Sequence, residues 1–504
     1  MQATSAQAGF TQSFRFLGKL LTLLTRAAWH KQDMNWNFHK PPALLALGVA
    51  MSLAACASPP PYAPVIDVPS TFVAAPMSDM AGSVERWWLL FADNQLNQLI
   101  VEALDNAPDA RGAMAVLDEA RAARAQALAR LGPQGNINLT ADTRRSNPDG
   151  APIIHQRSYN GGFSPSWEID LFGRRRASRT VADADLDAAR FQFEAARQSL
   201  GSAVAINLFD ARANAVRLDQ ARQILRIASE LARVGQRRVE IGIGARADAE
   251  SLKADEANAK AAAIASAAQL SISKRTLLIL LGRGTEPLEM LTIAASFNRP
   301  PMVPSVTPAT LLIRRPDIRL AEARLRSAAG NLKLSSKALL PTISLLPSAT
   351  YSATTGNAAS GTSIWSLGIG LLLPILDRPR LLAELRGQRA RTEQALIAYE
   401  DAVQTGFGEA QNSLLQYGAD RERLSEIEQA EASARIAFEA QRAGYEAGVV
   451  DLTALLQAER TWRTNLASLS DLRVAAIRDA VAVFQALGGG WSPWDTAAQP
   501  SGSL

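Results

Sequence analysis

The two halves of this 504-residue chain repeat each other at an offset of 204 to 208 residues. Asn106-Ala107-Pro108-Asp109 answers to Arg314-Arg315-Pro316-Asp317, and Leu131-Gly132-Pro133 to Leu339-Leu340-Pro341. Leu171-Phe172-Gly173 answers to Ile375-Leu376-Asp377, Arg238-Val239-Glu240-Ile241-Gly242 to Gly444-Tyr445-Glu446-Ala447-Gly448, and Leu280-Leu281-Gly282 to Ala486-Leu487-Gly488. Chance similarity does not hold register across five separate blocks. A duplicated chain builds one supersecondary unit twice, so each half constrains the other.

Within each half a helix follows Pro-Asp, with proline at its natural first-turn position. Two strand-like segments come next, then a very long helix, a glycine turn and a second helix ending at Leu-Gly. The long helices span Ala177 to Ile241 and Arg380 to Ala447, rich in Ala, Arg, Glu and Gln and free of proline. At about 1.5 Å per residue each is a rod of roughly 100 Å. Val204, Leu208, Ala211, Ala215, Leu218 and Leu225 fall at three-four spacing, as do Phe407, Ala410, Leu414 and Tyr417, which predicts narrow coiled-coil seams.

The strands alternate. Tyr159, Phe163, Trp167, Ile169 and Leu171 share one face, against Asn160, Ser164, Ser166, Glu168 and Asp170. Ile137, Leu139 and Ala141 oppose Asn136, Asn138, Thr140, Asp142 and Arg144, and Trp365, Leu367, Ile369 and Leu371 oppose Ser366, Gly368 and Gly370. This pattern suits a transmembrane β-barrel, with lipid outside and water inside, although a soluble sandwich alternates similarly. The strand count separates the two. Two hairpins supply about four strands, whereas the smallest membrane barrels need about eight and no open edge faces lipid. Several chains must then share one barrel, and three would give roughly twelve strands. A solitary coiled coil would explain the rods but not the two hairpins at equivalent places.

Composition weakens every enzymatic reading. Cys56 is the single cysteine, so no intrachain disulfide or cysteine cluster can form, and only His155 of the three histidines follows it. That leaves little material for a metal site or a nucleophile–base pair, and the expectation is no metal and no catalytic residue. No P-loop is present. The net charge of +5 is largely a leader effect, since Arg15, Lys19, Arg26, Lys31 and Lys40 all precede Cys56 with only Asp33 against them. It argues for no nucleic-acid partner.

The leader itself is an export signal. Ala43 to Ala55 is apolar, too short to span a bilayer, and preceded by Lys40. It ends in Leu53-Ala54-Ala55-Cys56, which matches the lipobox of bacterial lipoproteins and implies a covalent lipid on Cys56 with cleavage before it. Ala57 follows, where an aspartate would signal inner-membrane retention. Met34 would itself begin a normal leader, so the true start is Met1 or Met34. The expected division is a leader over 1–55, a lipid-anchored tether over 56–93, repeats over 94–290 and 291–491, and a tail over 492–504.

Taken with Trp87-Trp88, Phe91-Ala92-Asp93 and Leu96, Arg314-Arg315-Pro316-Asp317-Ile318, Trp167-Glu168-Ile169-Asp170-Leu171-Phe172-Gly173-Arg174 and Ala486-Leu487-Gly488-Gly489-Gly490-Trp491, the chain resembles the TolC outer-membrane efflux protein family. It resembles in particular the lipidated branch that serves resistance-nodulation-division pumps. The resemblance implies a mixed α/β membrane protein, a homotrimer whose twelve-stranded outer-membrane β-barrel continues into a long periplasmic α-helical barrel. It implies passive conduction of substrates, with a periplasmic adaptor and an inner-membrane resistance-nodulation-division transporter as partners, outer-membrane lipid around the barrel, and no cofactor beyond the lipid on Cys56. A structural coiled-coil lipoprotein without a pore and a type-one secretion duct are the alternatives.

The same resemblance places an aperture at the periplasmic tips, where Gly242 and Gly448 form the turns. Tyr445, Gly448, Leu455, Leu456, Ala458 and Arg460 match the family's tip motif, but Ala454 and Gln457 stand where aspartates are usual. Asp248, Glu250, Asp255 and Glu256 follow the first turn and are expected either to supply the negative charge or to pair with Arg460. Tyr445, Arg460 and Gln457, with an acid such as Asp248 or Glu250, are therefore expected to hold the aperture shut. Glu168 and Asp170 either line the barrel lumen or pair with Arg174 to Arg176.

Overall fold

The computed structural model describes residues 69, 72 and 84–492, apart from 148, 151–152, 297–298, 304–306 and 357–358. The leader, Met34, Cys56, most of the tether and the tail beyond 492 lie outside the described residues.

A kinked 3-10 stretch, Val84–Phe91, leads into α1 (Asn94–Asn106) and α2 (Pro108–Ala129). Strands β1 (Ile137–Ser146), β2 (Ile154–Phe163) and β3 (Trp167–Ile169) follow, then the 67-residue α3 (Arg174–Glu240) and the 35-residue α4 (Arg246–Leu280). The second half repeats the plan. The short α5 (Pro308–Arg314) precedes α6 (Pro316–Lys337), β4 (Thr342–Gly356), β5 (Ser360–Leu372), the 69-residue α7 (Arg378–Glu446) and the 35-residue α8 (Leu452–Ala486). Both rods start and stop within three residues of the expected positions.

Four of the helices stop in one way, which shows the duplication at the level of hydrogen bonds. Gly242, Gly282, Gly448 and Gly488 all have φ between +74° and +79°. Each donates to the carbonyl three residues back, and the following N–H reaches the carbonyl five residues back, as Ile243 does to Arg238 at 3.0 Å and Gly489 to Phe484 at 2.8 Å. This is the Schellman stop, which favours glycine because a Cβ is strained at that φ. At Gly488 space also forbids a side chain, since a Cβ would lie 2.7 Å from the Arg314 carbonyl carbon.

The main core lies where α1, the middle of α3, α7 and the end of α8 converge. Val204, Leu208 and Ala211 of the expected α3 seam are fully buried, as are Ala410, Leu414 and Tyr417 of the α7 seam to within a few per cent. Trp87 stacks on Phe484 with centroids 5.7 Å apart, and Phe91 meets Phe209 at 5.3 Å. The aromatic residues of the Trp-Trp and Phe-Ala-Asp motif are thus structural anchors. Arg315, from the Arg-Arg-Pro-Asp motif, is buried between α6, α7 and α8. It donates to the carbonyl of Ala486 (3.1 Å), to Asp317 and to Glu409 (both 2.6 Å), joining the second repeat's helices at one point.

The sheet runs β1, β2, β4, β5, all antiparallel, with β3 also paired to β4. Among the described residues five strands are present where four were expected, but β2 and β3 pair with β4 in one continuous register, Phe163 opposite Ala349 and Trp167 opposite Leu345. They are one strand interrupted at Pro165. Continuing that register sets Pro165 opposite Pro347, and neither has an N–H to give, so the ladder lapses there.

Candidate functional site

Register decides the faces of the sheet. Every cross-strand pairing joins residues of the same parity, odd to odd and even to even, so one face collects Ile137, Leu139, Tyr159, Phe163, Trp167, Ile343, Leu345, Tyr351, Trp365, Leu367, Ile369 and Leu371. The opposite face is mostly Ser, Thr, Asn, Gln and Gly. No helix packs on either face among the described residues. Trp365 is 86% exposed, Leu367 74% and Ile369 75%. An apolar surface of this extent marks a contact with another molecule or with lipid. The edges are open as well: among the described residues, the outer sides of β1 and β5 have no strand partner.

Glu168 lies on the polar face of β3, with the Arg174 guanidinium 3.6 Å away. Asp170 lies past the end of β3. Its two carboxylate oxygens accept from the backbone N–H groups of Arg174 (2.7 Å) and Arg175 (3.0 Å). Of its two expected places Asp170 takes the strand–helix junction, meeting Arg174 and Arg175 through their backbone and not their guanidinium groups: it caps the first turn of α3, where a carboxylate meets unpaired N–H groups and the positive end of the helix dipole.

At the far end of the rods, the α3/α4 and α7/α8 hairpins pack through Leu231, Leu252, Phe438, Tyr445, Leu455 and Trp462. Phe438 and Trp462 stack at 5.0 Å, and the Trp462 indole donates to Glu431 at 3.0 Å. The turns at Gly242 and Gly448 leave Ile243 and Val449 exposed. Asp451 caps α8 by accepting from Ala454 N–H at 2.7 Å.

Three arginines bind one hairpin to the other. Arg238 donates to the carbonyl of Tyr445 at 3.0 Å with its guanidinium 5.1 Å above the phenol ring, and Arg442 donates to Glu230 at 2.9 Å. Arg463 grips both oxygens of Asp255, at 3.2 and 3.1 Å, and also donates to Glu459. Glu459 is nearly inaccessible to solvent. Burial pushes its carboxyl above the usual carboxylate range, with Arg463 pulling the other way.

The expected aperture set is divided by this geometry. Tyr445 is 4% exposed and packed inside the tip, and burial raises its phenol. Asp248 sits in the first turn of α4 beside it. Glu250 is exposed, 4.0 Å from Lys253, and Glu256 accepts from Ser229 at 2.7 Å. Arg460 and Gln457 are exposed. Within the chain the first-half acid Asp255 meets Arg463, and among the described residues no first-half acid pairs with Arg460. Glu459 and Arg463, absent from the expected set, stand at i and i+4 on the face that carries Leu455 and Trp462, and that spacing is the sequence signal by which the pair can be found.

Comparison with known proteins settles the family. The outer membrane efflux protein family model matches residues 99–283 and again 307–489. The chain belongs to the outer membrane efflux protein family. Its members form efflux channels in the outer membrane, and the family is not one of enzymes. The two matched stretches correspond to the two halves of the duplication. The chain is 30% identical over 469 residues to the pyoverdine export outer membrane protein OpmQ of Pseudomonas putida, covering 90% of this chain and 98% of that protein. It is 26% identical to the cation efflux system protein CusC of Escherichia coli K12, over 89% of this chain and 100% of that protein. The crystal structure of the open state of the MtrE outer membrane channel of Neisseria gonorrhoeae superposes with a TM-score of 0.75 at 25% identity, over 86% of this chain and 98% of that one.

Proposed function

We propose that three copies of this chain close their sheets into one twelve-stranded barrel and their rods into one tunnel. The assembly then conducts substrates passively from the periplasm to the exterior. The observation that carries this is the sheet. It is apolar on one face, polar on the other, uncovered by any helix and open at both edges, and backbone groups at an open edge are not tolerated in lipid. Joining β1 of one copy to β5 of the next satisfies both edges at once. It turns the odd-numbered face to lipid and the even-numbered face, with Glu168, to water. A coiled-coil spacer without a pore leaves this sheet without a role.

The partners follow from the same reading: a periplasmic adaptor at the tips around Gly242 and Gly448, and an inner-membrane resistance-nodulation-division transporter that supplies the energy. The relatives carry names as different as pyoverdine export and cation efflux, which supports a duct whose cargo is chosen elsewhere in the pump. Cys56 carries the lipid anchor. In the resting tunnel the Arg463–Asp255 bridge holds the hairpins of each subunit together, while the exposed Arg460 and Gln457 face neighbouring subunits at the aperture.

Edge pairing is testable by disulfide trapping, because Cys56 is the only native cysteine. With Cys56 kept, Thr140→Cys is combined in turn with single cysteines along β5 from Ser363 to Ile369. At least one combination is expected to give covalent trimers under oxidising conditions and nothing larger. Monomers at every position, with each cysteine accessible to a thiol reagent, would refute the shared barrel.

A further inference from the structure

The outward face of the sheet does not stay apolar along its whole height. Toward the β1–β2 and β4–β5 turns, the end remote from α3 and α7, the odd-numbered positions change chemistry within two residues. On β2 the apolar face runs from Ile169 in β3 up to Tyr159, roughly 33 Å of chain at about 3.3 Å per residue. At a tilt near 45° this is roughly 23 Å of height, close to the apolar band of outer-membrane barrels, about 25 Å. The next odd position is Arg157, followed by His155. Arg145 lies directly opposite His155 and Thr143 directly opposite Arg157, and on the other side Arg157 faces Thr355.

Arg145, His155 and Arg157 therefore form one patch on one face, with the hydroxyls of Thr143 and Thr355 beside it. Asp142 lies on the opposite face, and Asp149 lies beyond the end of β1 in the connecting turn. Among the described residues none of the three takes part in an ion pair. Arg145 and Arg157 stand diagonally across adjacent strands, and two guanidinium groups so placed repel unless an anion sits among them. Arginine's planar fork matches a phosphate, and placement directly above a lipid-facing aromatic such as Tyr159 puts that phosphate at headgroup depth.

We propose that Arg145, His155 and Arg157 form an outer-leaflet site for the phosphate groups of a phosphorylated lipid, one site per subunit. The proposal rests on the barrel reading, which turns this face outward. It adds a bound lipid class that a conduit as such does not require. Charge complementarity selects the occupant: the patch is cationic, it borders the apolar band without a break, and its ligand must offer acyl chains below and phosphate above.

Face parity supplies the control. Arg144 is on the same strand, one residue away, and points to the other face. Delipidated protein in detergent is titrated with diphosphoryl lipid A and followed by native mass spectrometry, which reports subunit number and bound lipid together. The double variant Arg145→Gln with Arg157→Gln is expected to lose roughly tenfold or more in lipid A affinity, whereas Arg144→Gln stays within about twofold. Lipid A stripped of both phosphates should bind the native protein as weakly as diphosphoryl lipid A binds the double variant, and inorganic phosphate should not displace the lipid. Equal losses in Arg144→Gln and the double variant, or equal binding of the stripped lipid, in a protein that remains trimeric would overturn this proposal alone. Displacement by inorganic phosphate at matched concentration would show a free-anion site and overturn it too. A monomeric native protein would overturn the barrel reading and this proposal with it.

Discussion

Asp93→Ala should lower the unfolding free energy of the protein by about 3–5 kcal/mol, the cost of stranding one partner of a buried ion pair. Asp93 caps α1, accepting from Leu96 N–H at 2.9 Å, and the same carboxylate binds Arg212, which reaches it from the middle of α3 with a second contact at 3.1 Å. Both side chains are about 93% removed from solvent. Arg212 has one further partner, Gln95 at 2.9 Å, which cannot neutralise it. Asp93→Asn keeps the cap and loses the charge, so it should cost clearly less than alanine. Thermal unfolding in detergent followed by circular dichroism measures both. A loss below about 1 kcal/mol for Asp93→Ala would show that Arg212 finds water, and that the pair is not what holds α1 on α3.

The pH dependence of this pair has a definite sign. Burial alone would raise the Asp93 carboxyl, but the Arg212 hydrogen bond, the Leu96 N–H and the guanidinium charge outweigh burial and hold it below the usual carboxylate range. A carboxyl whose folded value is depressed contributes stability above its unfolded value of 3.8, and that stability fades as pH falls through the folded value. The wild-type protein should therefore lose more stability than Asp93→Asn between pH 5 and acid unfolding.

Arg463→Ala should open the periplasmic tip. Its bridge to Asp255 ties α8 to α4, and both side chains are about three-quarters removed from solvent. It is also the cation bound to the nearly buried Glu459. Removing a partly buried bridge of this kind costs on the order of 1–2 kcal/mol, which shifts a closed-to-open ratio by about five- to thirtyfold. Single-channel conductance in planar bilayers and uptake of a large antibiotic by intact cells should both rise. Arg463→Lys keeps the charge but not the two-pronged grip, and should fall between. Unchanged conductance in Arg463→Ala would mean that the intrachain bridge does not set the aperture, and would return the role to Arg460 at the contact between subunits.

Much of this architecture was legible before any coordinates, because local signals carry it. Proline-free alanine-rich stretches mark the rods, glycine at equivalent positions marks their stops, and strict alternation marks the sheet faces. What escaped was contact between residues far apart in sequence. Asp170 alternates with apolar neighbours as a lumen residue would, and nothing in the alternation says that the next element turns its N–H groups onto the carboxylate. Arg460 and Arg463 sit three residues apart on one helix, only about 60° apart around its axis, so periodicity does not tell which reaches Asp255. The Phe-Ala-Asp motif was recognisable as a family feature, but its reason is Arg212, more than a hundred residues away. The interrupted strand was missed for a simpler cause: Pro165 and Pro347 each look tolerable alone and break the ladder because they meet.

The central claim is that chains share one barrel and one tunnel, and imaging the protein purified in detergent tests it most directly. The account predicts a threefold-symmetric hollow tube with rods of roughly 100 Å beneath a short barrel. A thin monomeric rod with no central channel would contradict it.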